Sequence, residues 1–197
     1  LHFLYYPYPC MVFYYYTYIE KRPVTICCID INGKLMANAK TAAEEMGFDN
    51  MHFYTGDVAE FKTQESIDLV YSLHACDTAT DGTLYLGIKN RARIILSVSC
   101  CQHTIRKQLR NPRYRGITKH GVFKDRMVYM AGDSLRALLL EMNGYRTDIF
   151  EFVSSRYTDK NIMIRARRGT SCSRGELLRE YEKVSEEFHV KPMLETY

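Results

Sequence analysis

The sequence predicts an α/β fold: parallel strands with helices on both faces, closed at the C-terminal end by an antiparallel hairpin. Three observations carry this expectation. From Arg22 onward, short apolar, β-branched runs alternate with stretches of helical spacing, the pattern that builds a parallel sheet from βαβ units. Polar residues collect where each run ends. Two late runs, at 147–153 and 161–166, lie close enough in sequence to pair with each other.

The elements follow in order. Residues 1–19 carry no formal charge but include two prolines and seven tyrosines. That composition makes a poor membrane core, and no basic segment precedes it as in a signal peptide. It reads as a buried aromatic helix or loop, broken by Pro7 and Pro9. Residues 24–29 fit a buried strand. Asn32 is placed to cap a helix whose face carries Leu35, Ala39, Ala42 and Met46, with Gly47 as its stop. Strands are expected at 51–54 and 67–73, a helix at 78–90, a strand at 93–98 and a helix at 125–143 ending at Gly144. After the hairpin, Gly169, Ser171, Ser173 and Gly175 form a linker-like stretch. Leu177, Tyr181, Val184 and Phe188 then keep helical spacing.

Composition narrows the class. Of 197 residues, 46% are hydrophobic and 25% charged, which excludes a disordered chain and suits one globular domain. The net charge of +4 is too small to imply nucleic acid by itself, so the placement of charge decides. The seven cysteines include two adjacent pairs, Cys27-Cys28 and Cys100-Cys101, and no CxxC. Reduced thiols in a cytoplasmic protein are expected, with no membrane partner. The chain opens on Leu rather than Met, as a fragment or a processed chain would.

Chemistry concentrates at the carboxyl ends of the strands, where open α/β sheets bind ligands. These ends carry Asp30, then Gly56-Asp57, then His74 to Asp77, then Cys100 to His103. An acid at Asp30 can accept from both hydroxyls of a ribose, or it can cap a helix. Asp57 can accept from an adenine amino group, or it can belong to a Gly-Asp turn. Cys100 can act as a nucleophile beside a cation, or pack as a small apolar residue. Cys76, Cys100 and Cys101 with His74 and His103 offer zinc-type ligands, but adjacent cysteines make awkward tetrahedral partners, so no metal is expected.

The run from Leu73 to Asp81 (LHACDTATD), followed by Ser97 to His103 (SVSCCQH), resembles a family of bacterial methyltransferase-domain proteins. That family is similar to the C-terminal half of the glutathione S-transferase C-terminal-domain-containing protein. The likeness covers nearly the whole chain to about Arg168. It takes in Ile29-Asp30, Asp49-Asn50, Lys119-His120-Gly121 and Asn161 to Ala166. A looser likeness joins the two runs to tRNA ribose methyltransferases. The resemblance implies a Rossmann-like class I methyltransferase sheet with S-adenosylmethionine as cofactor, held by Asp30 and Asp57. His74, Asp77, Asp81, Cys100 and His103 would line the substrate side. It also implies a domain over 1–168, followed by a linker and C-terminal helix over 169–197. The family's glycine-rich loop and the first strand before it have no counterpart here, and Ser99 replaces the proline before the paired cysteines.

Residues 106–126 carry Arg106, Lys107, Arg110, Arg113, Arg115, Lys119, Lys124 and Arg126, with Asp125 as the only acid and Tyr114 and Phe123 interleaved. Such a stretch suits a phosphate backbone with aromatics for stacking, or it is a solvated loop. The expectation is an S-adenosylmethionine-dependent methyltransferase acting on RNA. His74, Asp77, Cys100 and His103 would serve the chemistry, and Asp81, Arg110 and Arg113 would bind substrate. The alternative is a degenerate, non-catalytic domain that binds nucleic acid or a protein partner.

Overall fold

The computed structural model describes residues 7–75, 77–110, 112–169 and 173–197, without the side chains of Pro7, Tyr8, His74 and Pro112. The chain divides after Phe61 into two compact units.

The first unit opens with helix α1 (Pro7–Tyr14), which continues into a π-helical turn, Tyr15–Ile19. Pro7 and Pro9 do not break this helix. They sit in its first turn, where backbone N–H groups have no intrahelical partner to lose. Nor is the segment buried. Phe13 is 3% exposed and packs on Phe48 with ring centroids 4.8 Å apart, whereas Tyr14, Tyr15, Tyr16 and Tyr18 are exposed. So short a helix presents one side inward, and Pro9 and Phe13, four residues apart, are the buried residues on it.

Strand β1 (Ile26–Asp30), helix α2 (Gly33–Glu45) and strand β2 (Met51–Thr55) form one βαβ unit. Its strands run parallel, in register from Ile26 opposite Met51 to Asp30 opposite Thr55. Asn32 caps α2, its side chain accepting from the Leu35 N–H at 3.1 Å, and Gly47 ends the helix at φ +69°. The buried face is turned by about one residue from the expected one. Met36 and Ala43 are buried, Leu35, Ala39 and Met46 are half-buried and Ala42 is exposed. Both rows, 36, 39, 43, 46 and 35, 39, 42, 46, keep the i+3/i+4 spacing of an α-helix, so periodicity alone does not choose between them.

The second unit is built on strands β3 (Leu69–Ala75), β4 (Ile94–Ser99), β5 (Tyr145–Glu151) and β6 (Ile162–Arg168), ordered β3-β4-β6-β5. β3 and β4 are parallel; β6 runs antiparallel to both β4 and β5. The expected closing hairpin is therefore β5–β6, and its second strand joins the sheet. Among the described residues the strands form two sheets, one in each unit. β1 pairs with β2 and β3 with β4, and among the described residues no strand pairs with both β1 and β3. The result is a mixed α/β fold carried on two sheets.

Helices α3 (Thr78–Lys89), α4 (His103–Gln108), α5 (Arg115–Thr118), α6 (Gly121–Met142) and α7 (Arg174–Phe188) complete this unit. α6 starts at Gly121, four residues before the expected Asp125, and its C-terminal stop is Gly144 at φ +86°. Leu84, Ile95, Leu135, Leu140 and Ile164 form the dry centre. The C-terminal helix belongs to this core: Leu177 and Tyr181 are buried, and the Tyr181 hydroxyl donates to Glu195 at 3.0 Å.

Candidate functional site

In the first unit, the backbone brings the two expected cofactor residues to one sheet edge. Asp30 is the last residue of β1, and Asp57 follows β2 by two residues. The Gly56 N–H donates to the Asp30 carbonyl at 3.0 Å, joining the two strand ends. Each carboxylate also holds its own turn. Asp30 accepts from the Asn32 N–H and Asp57 from the Ala59 N–H, both at 2.8 Å. The local turn roles and a shared edge therefore coexist.

In the second unit, the ends of β3 and β4 are locked together. Asp77 donates its N–H to the Cys101 carbonyl at 3.1 Å. Its carboxylate accepts from the Thr104 N–H at 3.0 and 3.1 Å and from the Thr104 hydroxyl at 2.6 Å. Asp77 also has φ 52° and ψ −112°, a backbone region that favours glycine. Its side chain thus ties the loop after β3 to the start of α4. The Cys100 thiol lies 3.8 Å from the Ala75 carbonyl and 3.8 Å from the Cys101 sulfur. The Cys100 carbonyl accepts from the Tyr129 hydroxyl at 2.7 Å. Burial pushes the Tyr129 phenol up, against an opposing influence from Lys160, so it stays protonated and donates. The Lys160 ammonium stands 4.0 Å from the centroid of that ring, which links the hairpin loop to the paired cysteines.

Beneath this loop runs a buried charged network. Arg136 is fully buried and grips Asp81 through two bonds of 2.7 and 3.1 Å, and it reaches Asp133 at 3.2 Å. Asp133 also accepts from Ser99 at 3.0 Å and from the Gln102 amide at 2.9 Å. Burial raises the Asp133 pKa despite these donors. For Arg136 burial is the largest influence and acts downward, but Asp81 and Asp133 together outweigh it and raise its pKa. Asp81, expected on the substrate side, is 2% exposed with both oxygens on Arg136. It is a core ion pair that supports the site from inside. Gly132 makes room for the network: a Cβ there would stand 2.0 Å from Gln102 Oε1.

The three expected catalytic residues whose side chains are described fall in two places. Asp77 and Cys100 meet at the β3–β4 junction. His103 begins α4 and lines an open concavity of about 610 Å³ with Arg106, Lys107, Leu109, Arg110 and Lys124. The His74 side chain and Cys76 lie outside the described residues, and among the described residues no three His, Cys, Asp or Glu side chains group as a metal site. The basic stretch separates as well. Arg110 reaches the concavity, whereas Arg113 pairs with Glu187 of α7 at 3.2 Å and Arg106 with Asp125. Tyr114, expected to stack on bases, stacks on Phe188 instead, with centroids 6.2 Å apart, while Phe123 stays exposed.

Sequence reasoning missed Thr104, Tyr129, Asp133, Arg136 and Lys160. The signal available was the pair Asp133 and Arg136, three apart within an otherwise apolar helical stretch. Among the described residues no helix is long and apolar enough to cross a membrane. No curated protein matches the chain. The sequence profile of a methyltransferase domain does match, over residues 8–108. That span runs from α1 through α4 and includes every strand end described above except those of the hairpin. The chain belongs to this methyltransferase-domain family.

Proposed function

We propose that the protein transfers the methyl group of S-adenosylmethionine to RNA. The observation that carries the substrate class is the cationic concavity at α4, the helix that follows β4, lined by His103, Lys107, Arg110 and Lys124. Phosphates bind such clusters by displacing condensed counterions. For the cofactor, Asp30 and Asp57 supply acceptors at adjacent parallel strand ends, as a nucleoside's hydroxyls and amino group require. The cofactor, when bound, supplies an electrophilic methyl group. The chain's part is then to place an acceptor atom and take its proton. His103 is exposed in the concavity and suits the proton-accepting role, with His74 the second candidate. Asp77 serves as a positioning residue, because its carboxylate is engaged by Thr104.

The test is tritiated methyl transfer from S-adenosylmethionine into RNA pools, with calorimetric titration of the cofactor alongside. Label entering RNA, and abolished in His103→Ala at unchanged RNA affinity, is the expected result. RNA binding with neither cofactor binding nor transfer would favour the non-catalytic binding module instead. In the double variant Lys107→Ala/Arg110→Ala, the dependence of log affinity on log salt should flatten by roughly 0.7–0.9 for each phosphate no longer neutralised. An unchanged slope would remove RNA as the substrate and leave a small molecule or a protein as acceptor.

A further inference from the structure

The second sheet carries another basic surface, at the end opposite Cys100. Arg91 and Arg93 precede β4, Arg146 follows the first residue of β5, and Arg167 and Arg168 close β6; all five are exposed. Backbone pairing gathers them. Arg146 lies directly opposite Arg167 in the antiparallel ladder, and Arg167 lies opposite Ile94. The Arg168 N–H donates to the Arg93 carbonyl at 3.0 Å, and its guanidinium donates to the Arg91 carbonyl at 2.8 Å. Arg91 itself sits at φ +53°, a conformation uncommon for a residue with a Cβ. Two carboxylates answer these charges: Asp68 meets Arg93 at 3.3 Å, and Asp148 divides itself between Arg165 at 3.0 Å and Arg167 at 3.4 Å. Among the described residues no carboxylate pairs with Arg146.

Like charges placed directly across an antiparallel pair repel, so this end of the sheet gains nothing for folding from the Arg146–Arg167 pairing. An external anion would relieve it. Every cation in this group is arginine, whose planar fork matches phosphate in two bonds where lysine offers a point charge. Arg146 and Arg167 stem from paired strands and share one face, so their origins are fixed relative to one another, while Arg168 leaves the other face at the same end of β6. At about 3.3 Å per strand residue, the six residues of β4 put this surface roughly 20 Å from the Cys100 end. We infer that Arg146 and Arg167, sharing one face, with Arg91, Arg93 and Arg168 beside them at the same end of the sheet, form a second RNA-binding surface that grips the phosphates of a double-helical segment, and that the substrate is therefore a structured RNA reaching both ends of the sheet. Duplex RNA suits such a surface because its deep groove hides the bases and leaves phosphates and shape to be recognised. The inference rests on the RNA reading proposed above.

The experiment is a fluorescence-anisotropy titration of the full chain with two probes, an RNA hairpin with a stem of about 16 base pairs and a single-stranded RNA octamer, at salt from about 50 to 200 mM. Arg146→Ala/Arg167→Ala should weaken hairpin binding about tenfold and lower its salt slope by nearly two, leaving the octamer unchanged. Lys107→Ala/Arg110→Ala should weaken both probes. Urea melts of the Arg146/Arg167 variant should show stability equal to or above the parent, since a like-charge pair is removed. An unchanged hairpin affinity and slope would overturn the second surface while leaving the RNA reading intact. Equal weakening on both probes would make it a single-strand surface and overturn the duplex. If the parent chain binds neither probe, the RNA reading falls and this inference falls with it.

Discussion

Asp77 combines a strained backbone with a carboxylate that clamps Thr104, and substitutions can separate the two. Asp77→Ala keeps the strain and loses the clamp, at about 2 kcal/mol for hydrogen bonds to a charged group. Asp77→Gly loses the clamp but relaxes the backbone, so it should be the more stable of the two by roughly 1 kcal/mol, read from urea denaturation midpoints. From the sequence, Asp77 was legible as a strand-end residue. Its partner was not, because Thr104 lies 27 positions away and nothing local announces the pairing. The cysteine pairs teach the complementary lesson. Successive residues of a strand face opposite ways, and in β1 Cys27 is exposed while Cys28 is buried, with burial first and the neighbouring thiols next pushing the Cys28 pKa to about 12. At pH 8, iodoacetamide should alkylate Cys27 well before Cys28, as peptide mass spectra would show. Equal rates would mean that β1 does not hold this alternation.

Among the elements, α6 organises the site. It presents Tyr129 to Cys100, leaves space at Gly132 for Gln102, and sets Asp133 and Arg136 under the loop. Removing Arg136 strands two buried carboxylates, so Arg136→Met should cost about 3–5 kcal/mol. Asp133→Asn should cost less, because an amide oxygen can still accept from Ser99 and an uncharged group is easier to bury. The pH dependence follows from the raised pKa of Asp133. The folded state holds this proton more tightly than the unfolded chain. Its favourable contribution is therefore complete below the ordinary carboxylate value of 3.8 and is lost as pH rises through the elevated folded value. Asp133→Asn lacks that loss, so denaturation melts should show the variant improving relative to the parent as pH increases from about 3 upward. The existence of α6, its stop at Gly144 and the hairpin beyond it were all legible from periodicity. Its inward charges were not, since an arginine in a helical pattern signals a solvated face until a partner on another element, here Asp81 of α3, is known.

For the whole molecule, alternation of strands and helices revealed the α/β class, but not how the strands divide. Pairing is a long-range property: the apolar run of β3 reads alike whether its neighbour is β1 or β4. The division after Phe61 leaves unequal cores. Among the described residues, seven buried hydrophobic side chains cluster in the first unit and sixteen in the second. A unit of some 60 residues buries a smaller share of its surface than one twice that size. Hydrogen exchange should therefore show weaker protection across β1, α2 and β2 than across β4, α6 and β6. Matching protection factors would indicate one cooperative block. For the candidate site, placement was legible for Asp30 and Asp57, at or just beyond strand ends, and for His103, just past β4. The site was illegible where side chains had been claimed by structure, as with Asp81, Arg113 and Tyr114.

The Asp81–Arg136–Asp133 network also constrains how this sequence can drift. Each acid depends on one arginine, and that arginine is enclosed by both. Replacement of Arg136 alone is severe, whereas an apolar set at all three positions could be as stable as the original. No sequence of single neutral steps connects those states through Arg136. The three positions should therefore be inherited together across the family, either all charged or all apolar, and a mixed set should mark a lineage in which a further residue has supplied the missing charge.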